Sequence, residues 1–251
     1  MTDLHATLRG VEKLPFASCF RPIMRRDATE DRLTVQRWIV TCTVGELLGF
    51  ACAGTIAYFV FTGIPDPTSI GMALGLLLGC MLAGVAEGMS LGFAQWLALR
   101  RAFPKLEAKA WLRASVLAAA GGWTVGALPS TIISLLGSFP ASRSSAQAEP
   151  STLWIVLGSA LGGAVLGAAF GAMQWRALRA HAAHAERWVV SNAIGWGLAL
   201  PWSYVAGSSA FAAESTLHAV TAVALAGLAM GSSVALADWF ALRGMTQAAL
   251  S

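Results

Sequence analysis

Six long apolar stretches dominate the chain, and short polar links separate them. They run over residues 38–63, 69–99, 114–139, 153–178, 188–212 and 219–242. Each stretch is continuous and exceeds the roughly 20 residues that an α-helix needs to cross a bilayer. Strands cross membranes only in closed barrels, whose shorter segments alternate polar with apolar residues. The pattern therefore predicts an all-α membrane protein with six transmembrane helices.

Basic residues lie almost entirely on one side of this predicted bundle. Seven Lys or Arg residues precede helix 1, five follow helix 2, three surround the link between helices 4 and 5, and one follows helix 6. The opposite side carries Arg143 alone. Because Lys and Arg are retained in cytoplasmic segments, the distribution predicts that both termini are cytoplasmic, in the cell (inner or plasma) membrane.

The first 37 residues form a basic tail without the apolar stretch of a signal peptide. Leu4, Leu8, Val11 and Leu14 recur at helical spacing, which fits a short amphipathic helix on the cytoplasmic surface. A disordered basic leader fits the tail equally well.

Composition agrees with a lipid environment and narrows the chemistry. Charged residues make up 12% of the chain, about half the share of a soluble globular protein. Cys42, Cys52 and Cys80 lie inside apolar stretches without metal-ligand spacing, so we interpret them as packing residues. The basic charge flanks the helices, and this explains the high isoelectric point without nucleic-acid binding.

Helices 2, 4 and 6 end in one recurring pattern: three small residues four apart, then an amide or acid, a tryptophan, a leucine and an arginine. This recurrence predicts three tandem two-helix hairpins, residues 38–101, 109–180 and 187–243, followed by a cytoplasmic tail over 244–251. Spacings of four and three residues keep these positions on one helix face. The pattern reads Gly84, Gly88, Gly92, Gln95, Trp96, Leu99 and Arg100; then Gly163, Gly167, Gly171, Gln174, Trp175, Leu178 and Arg179; then Gly227, Gly231, Ala235, Asp238, Trp239, Leu242 and Arg243.

Packing and membrane anchoring explain most of the pattern. Small residues allow close approach of two helix backbones, which drives association where lipid removes the hydrophobic effect. The Trp and Arg pairs fit the headgroup region and are predicted interface anchors. A pseudo-threefold arrangement about the membrane normal would follow naturally from three such hairpins.

Two acidic residues are left over within predicted spans. Glu46 occupies the place of Trp196 in the third hairpin, and Glu87 replaces Leu166 and Met230 of the other two. A carboxyl group at this depth is costly, so it faces the bundle interior, pairs, or is protonated. Glu46 and Glu87 are therefore candidates for a shared intramembrane polar site; local hydrogen bonds that fix packing are the alternative interpretation.

Gln95, Gln174 and Asp238 occupy equivalent positions of the pattern near the cytoplasmic ends. If they lay close together they would line a polar vestibule. The favoured expectation is that each bonds a neighbouring backbone, and that Asp238 pairs with a cytoplasmic Arg.

Catalytic and cofactor signatures are absent from the sequence: it has no zinc-protease, nucleophile-elbow, phosphate-loop or paired-cysteine motif. We therefore predict no catalytic residue, metal or cofactor. The expected partners are the lipid bilayer and a membrane protein or a second copy of this chain.

The Q-W-x-x-L-R pattern after spaced glycines resembles that of uncharacterised bacterial multi-pass membrane proteins. Gln95, Trp96, Leu99 and Arg100 carry the resemblance, and the second copy repeats it, whereas Asp238 departs from it. The resemblance implies a membrane architecture and brings no activity with it. Mitochondrial carriers also have three two-helix repeats, but their P-x-[DE]-x-x-[KR] signature is absent.

The sequence favours a non-enzymatic structural, accessory or lipid-interacting membrane component. The alternative is a transporter of a small solute or ion, with Glu46 and Glu87 as binding or coupling groups and the prolines of helices 3 and 5 as hinges. An enzyme acting on lipid has the weakest support, because no nucleophile and base can be paired.

Overall fold

The computed structural model describes residues 28–64, 66–137, 151–211 and 215–248, and within these ranges all regular structure is helical. The prediction of an all-α fold is confirmed for these described residues. The six helices are α1 (Ala28–Gly63), α2 (Ile70–Ala102), α3 (Ala108–Gly137), α4 (Thr152–Leu178), α5 (Arg187–Phe211) and α6 (Thr216–Ala248).

Several helix ends differ from the predicted boundaries. Helix α1 begins at Ala28, ten residues before its apolar stretch, α3 begins at Ala108, six residues before its own, and α6 continues into the predicted tail as far as Ala248. Hydropathy marks the apolar part of a helix, whereas backbone hydrogen bonding continues into polar residues. The predicted amphipathic segment, residues 4–14, lies outside the described residues. The chain divides into two compact units, 1–35 and 36–251, and the second contains most of α1 and all of α2 to α6.

Five helices are long and apolar enough to cross a membrane: Val35–Gly63, Ile70–Ala102, Ala108–Gly137, Thr152–Leu178 and Thr216–Met245. Helix α5 falls outside this set, and Ser191, Asn192 and Pro201 reduce its apolar content. Large apolar side chains stand on the outer surface, with Leu161 70% and Phe240 73% exposed. Such a surface is suited to lipid. The described helices are those of an integral multi-pass membrane protein.

Glycines on the even-numbered helices make close contacts with other helices. The glycines of the recurring pattern in α2 lie against α3, those in α4 lie against α5, and those in α6 lie against α1. A Cβ atom on Gly88 would lie 2.8 Å from the carbonyl oxygen of Ser115, and one on Gly231 would lie 2.8 Å from the Cα of Thr43. Any side chain would therefore force the backbones apart. The glycines in these contacts are Gly84, Gly88, Gly92, Gly163, Gly167, Gly171, Gly227 and Gly231.

A second set of contacts joins α1 to α2 and α5 to α6. Gly45 of α1 lies against α2, where its carbonyl oxygen accepts a 2.7 Å hydrogen bond from Ser90, and Gly195 of α5 lies against Val234 of α6. The corresponding residue of α3, seven positions after Trp111, is Ala118. Helices α3 and α4 also share far fewer contacts than α2 with α3, α4 with α5, or α5 with α6. Helices α3 and α4 are thus the loosest pair among these.

Three tryptophans close one end of the bundle. They are Trp38 of α1, Trp111 of α3 and Trp188 of α5, and all three are almost completely buried. They share one apolar cluster with Leu99 of α2, Leu178 of α4 and Leu242 of α6. The ring of Trp188 meets the other two edge to face, with centroid distances of 5.9 Å to Trp38 and 5.7 Å to Trp111. Because the Lys and Arg residues of the links flank this cluster in sequence, we call it the basic end.

Candidate functional site in the centre of the bundle

A cavity of about 360 Å³ lies in the middle of the bundle. Its size falls within the range of small-molecule pockets. Carbon-rich side chains form most of its wall, and Glu87 is the one charged side chain among the described residues that line it. Every helix contributes, through Phe50 of α1, Glu87 of α2, Trp123 of α3, Leu166 of α4, Trp196 of α5 and Met230 of α6.

Glu87 is held in place by a tryptophan and by close helix packing. Only 4% of its surface is exposed, and its Oε2 atom accepts a 2.6 Å hydrogen bond from Nε1 of Trp123. A Cβ atom on Gly49 of α1 would lie 3.1 Å from the Cα of Glu87, so α1 supports this part of α2 directly. The indole is a neutral donor, and it satisfies the carboxyl group without supplying a positive charge.

Glu46 lies behind Glu87 and is more deeply buried. It has no exposed surface, and neither of its carboxyl oxygens has a hydrogen-bond partner in the described part of the chain. The hydroxyl of Thr43, one turn earlier, is also without a partner there. The two carboxyl groups are close enough to interact electrostatically. The structure thus brings the two acidic residues together, although Glu46 does not line the cavity.

The two predicted glutamines meet in the interior between the cavity and the basic end. Nε2 of Gln174 donates to Oε1 of Gln95 at 2.7 Å and to the hydroxyl of Ser115 at 2.9 Å. Oε1 of Gln174 accepts a 2.9 Å hydrogen bond from Nε1 of Trp188. The expectation that each glutamine bonds a neighbouring backbone is therefore wrong. The glutamines link α2, α3, α4 and α5 through side chains, because the glycine contacts bring these helices close.

Asp238 makes a separate network between α5 and α6. Its Oδ1 atom accepts hydrogen bonds from the hydroxyl of Ser191 at 2.8 Å and from Nδ2 of Asn192 at 3.0 Å. These two bonds come from α5 and not from the cytoplasmic arginine that the sequence suggested as a partner. Asp238 is fully buried and lies well inside α6, which ends at Ala248. Its Oδ2 atom has no hydrogen-bond partner within the described ranges.

The predicted interface anchors stand at the basic end. The guanidinium group of Arg100 lies over the ring of Trp96, and that of Arg179 over the ring of Trp175, each 5.0 Å from the ring centroid. Trp96 also donates a 3.1 Å hydrogen bond to the carbonyl oxygen of Leu106 in the link to α3. In α6, Trp239 is partly buried against the apolar cluster of this end, and Arg243 follows it in sequence.

Sequence reasoning missed Trp123 as the partner of Glu87. A signal for it was present, because Phe50, Trp123 and Leu200 each lie twelve residues after the first tryptophan of their hairpin, and all three line the cavity. Glu87, Leu166 and Met230, which correspond to one another in the sequence pattern, line it as well. Bulky residues at corresponding positions were thus the available indication of a common cavity.

Three serine hydroxyls of the cavity wall are bonded within their own helices. The hydroxyls of Ser130, Ser159 and Ser203 donate to backbone carbonyl oxygens of their own helices. No group of three or more His, Cys, Asp or Glu side chains able to hold a metal ion occurs among the described residues. The arrangement therefore suits an apolar molecule that reaches a single carboxyl group.

No protein-family model, curated protein or solved structure matches this chain.

Proposed function

We propose that this protein is a non-enzymatic membrane component that binds a small apolar or amphipathic molecule in the central cavity. The observation that supports this function is the cavity itself, which all six helices line and whose wall is apolar except for Glu87 and a few serines. Ligand pockets typically combine an apolar wall with a small number of placed polar groups. This function is a specific form of the lipid-interacting role that the sequence favours.

The proposed architecture has all six helices crossing the bilayer as three tandem hairpins about a pseudo-threefold axis, with both termini cytoplasmic. Support comes from the glycine stripes, each of which contacts the first helix of a different hairpin, with α6 returning to α1. Corresponding residues of the three hairpins also line one cavity. Ser191 and Asn192 of α5 donate to Asp238 within the bundle, so these donors do not oppose the placement of α5 in lipid.

The proposed entrance lies between α3 and α4, from the bilayer. These helices share few contacts, and Ala118 replaces the glycine that brings the helices of the other two hairpins together. Gly126 and Ser130 of α3 line the cavity while remaining exposed on the helix surface. An apolar ligand would then pass from lipid to the cavity without crossing the polar ends of the bundle.

A matched pair of glycine variants tests the cavity. Gly122 lines it, whereas its neighbour Gly121 does not, and a Cβ atom on either would meet nothing within 4 Å. Gly122→Leu should therefore fill the cavity without forcing the backbone, and Gly121→Leu serves as the control. The probe is 4-bromo-tert-butylbenzene, whose bromine quenches nearby tryptophans, added to detergent-purified protein. We expect saturable quenching in the wild type and in Gly121→Leu, and its loss in Gly122→Leu. Equal quenching in both variants would contradict the proposal.

A transporter is the second candidate, and Glu46 favours it. A fully buried carboxyl group without a partner in the described chain, next to the carboxyl group that lines the cavity, is a suitable coupling site. Proteoliposomes that enclose a pH-sensitive dye should then show proton movement when 4-bromo-tert-butylbenzene is added outside. The same is expected for its cationic analogue, 4-bromophenyltrimethylammonium. Movement that persists in Glu46→Gln combined with Glu87→Gln would exclude these residues from coupling.

A further inference from the structure

The geometry points to a lipophilic organic monocation as the ligand of the central cavity, with Glu87 as its counter-charge. This inference rests on the proposed function and adds the charge of the ligand to it. Three features of the cavity support this inference. The acidic pair has no positively charged partner among the described residues, the cavity wall contains several aromatic rings, and the volume and side chains of the cavity do not suit a metal ion.

The first feature is the absence of a positive partner for the acidic pair among the described residues of the cavity. The one hydrogen bond that reaches Oε2 of Glu87 there comes from the neutral indole of Trp123. The described residues that line the cavity include no Lys, Arg or His. Glu46 stands close behind Glu87 and brings no positive charge to the pair. Removing a carboxylate from water without a counter-charge is costly, so a bound cation would stabilise this arrangement.

The second feature is the number of aromatic rings in the cavity wall that also contains this carboxyl group. Two of them, Phe170 and Trp196, stand with centroids 5.6 Å apart and ring planes inclined by 42°. Aromatic faces attract organic cations, and the attraction grows where water is excluded. A carboxyl group within such a wall combines charge recognition with apolar contact. The aromatic residues that line the cavity are Phe50, Phe61, Trp123, Phe170 and Trp196.

The third feature separates an organic cation from a metal ion. A bare metal ion needs several oxygen, nitrogen or sulfur ligands, and the described residues contain no suitable group of three. The cavity, at about 360 Å³, is also far larger than an ion. Its wall is mainly apolar, which favours a cation that carries alkyl or aryl groups. A single carboxyl group on the wall favours a single positive charge.

Two probes of the same shape test this inference on the intact protein. In 4-bromophenyltrimethylammonium a positive nitrogen replaces the quaternary carbon of 4-bromo-tert-butylbenzene, and both carry the quenching bromine. We expect the wild type to bind the cation at least about tenfold more tightly than the neutral probe, by saturable tryptophan quenching. Glu87→Gln should lose this preference while retaining the neutral probe. Glu107→Gln, which changes an exposed carboxyl group outside the cavity, should behave like the wild type.

The outcomes distinguish the inference from the function on which it rests. Equal affinity of the wild type for both probes would overturn the cation inference and leave the cavity as a binding site for neutral molecules. A cation preference that survives in folded Glu87→Gln would also overturn it. Saturable quenching by neither probe would contradict the proposed function itself. The wild-type comparison decides the question even if the Glu87 variant does not fold.

Discussion

At the scale of single residues, several polar side chains are buried in the interior of this protein, between helices whose outer surfaces are apolar. Gln95, Gln174 and Asp238 are all completely buried, and each makes side-chain hydrogen bonds to another helix. Glu46 is equally buried and makes none within the described chain. The burial of the first three is explained by hydrogen bonds that hold helices together. The burial of Glu46 has no such explanation, so Glu46 is the strongest candidate among them for a functional role.

Gln174 should be the most important single polar residue for stability. Replacing it with leucine removes three hydrogen bonds and leaves Nε1 of Trp188 without its acceptor. Because interhelical hydrogen bonds in membranes contribute about 0.6 kcal/mol each and an unpaired buried group adds a penalty, we expect a loss of about 2 kcal/mol. Unfolding of the detergent-solubilised protein by increasing amounts of SDS measures this loss.

The control for Gln174→Leu is Thr221→Ala. The hydroxyl of Thr221 is exposed and bonds the Leu217 carbonyl oxygen within its own helix. Its removal should change the free energy of unfolding by less than about 0.5 kcal/mol. Similar losses for both variants would show that the glutamine network does not hold the helices together.

At the scale of helices, glycine position decides which pairs pack closely. A glycine facing another helix permits backbone contact, whereas α3 and α4 contain several glycines that face open space, including Gly121, Gly122, Gly158 and Gly162. Glycine content alone therefore does not define a packing face. The prolines within α3 and α5, Pro129 and Pro201, lie where the sequence predicted them. Each removes a backbone hydrogen-bond donor within its helix.

Two glycines of α4 should respond in opposite ways to the same substitution. A Cβ atom on Gly167 would lie 2.7 Å from the Cβ of Trp196 and 2.9 Å from the backbone carbon of Asn192, whereas one on Gly162 would meet nothing within 4 Å. Gly167→Ala should therefore destabilise the protein by about 1–3 kcal/mol through overpacking. Gly162→Ala should be neutral or stabilising because alanine favours the helix. The same SDS titration measures both, and equal effects would contradict close packing of α4 against α5 at Gly167.

At the scale of the whole molecule, the basic end is the feature from which the orientation of the bundle in the membrane can be described. The buried tryptophan cluster brings Trp38, Trp111 and Trp188 of α1, α3 and α5 together with the leucines near the ends of α2, α4 and α6. Positive charge flanks this end, and the central cavity lies further inside the bundle. Ligand access from the bilayer between α3 and α4, rather than through the tryptophan cluster, is consistent with this arrangement.

Reporter fusions should locate the basic end in the cytoplasm. Fusions after residues 105, 183 and 251 are expected to give cytoplasmic signals, and fusions after residues 67, 145 and 214 the opposite, because Lys and Arg are retained in the cytoplasm. The pair at 183 and 214 tests whether α5 crosses the membrane. Identical signals at those two sites would contradict the six-span proposal, and inverted signals throughout would contradict the orientation.

The sequence by itself determined the helical class, the approximate positions of all six helices and the small-residue faces, because length, hydropathy and spacing act locally along the chain. It did not determine that α6 continues to Ala248, since hydrogen bonding continues after hydropathy declines. Only the tertiary structure decided that Gln174 meets Gln95, that Asp238 meets Ser191, and that Trp123 meets Glu87. These pairs depend on the neighbours and rotation of each helix, which are set by contacts between residues far apart in sequence.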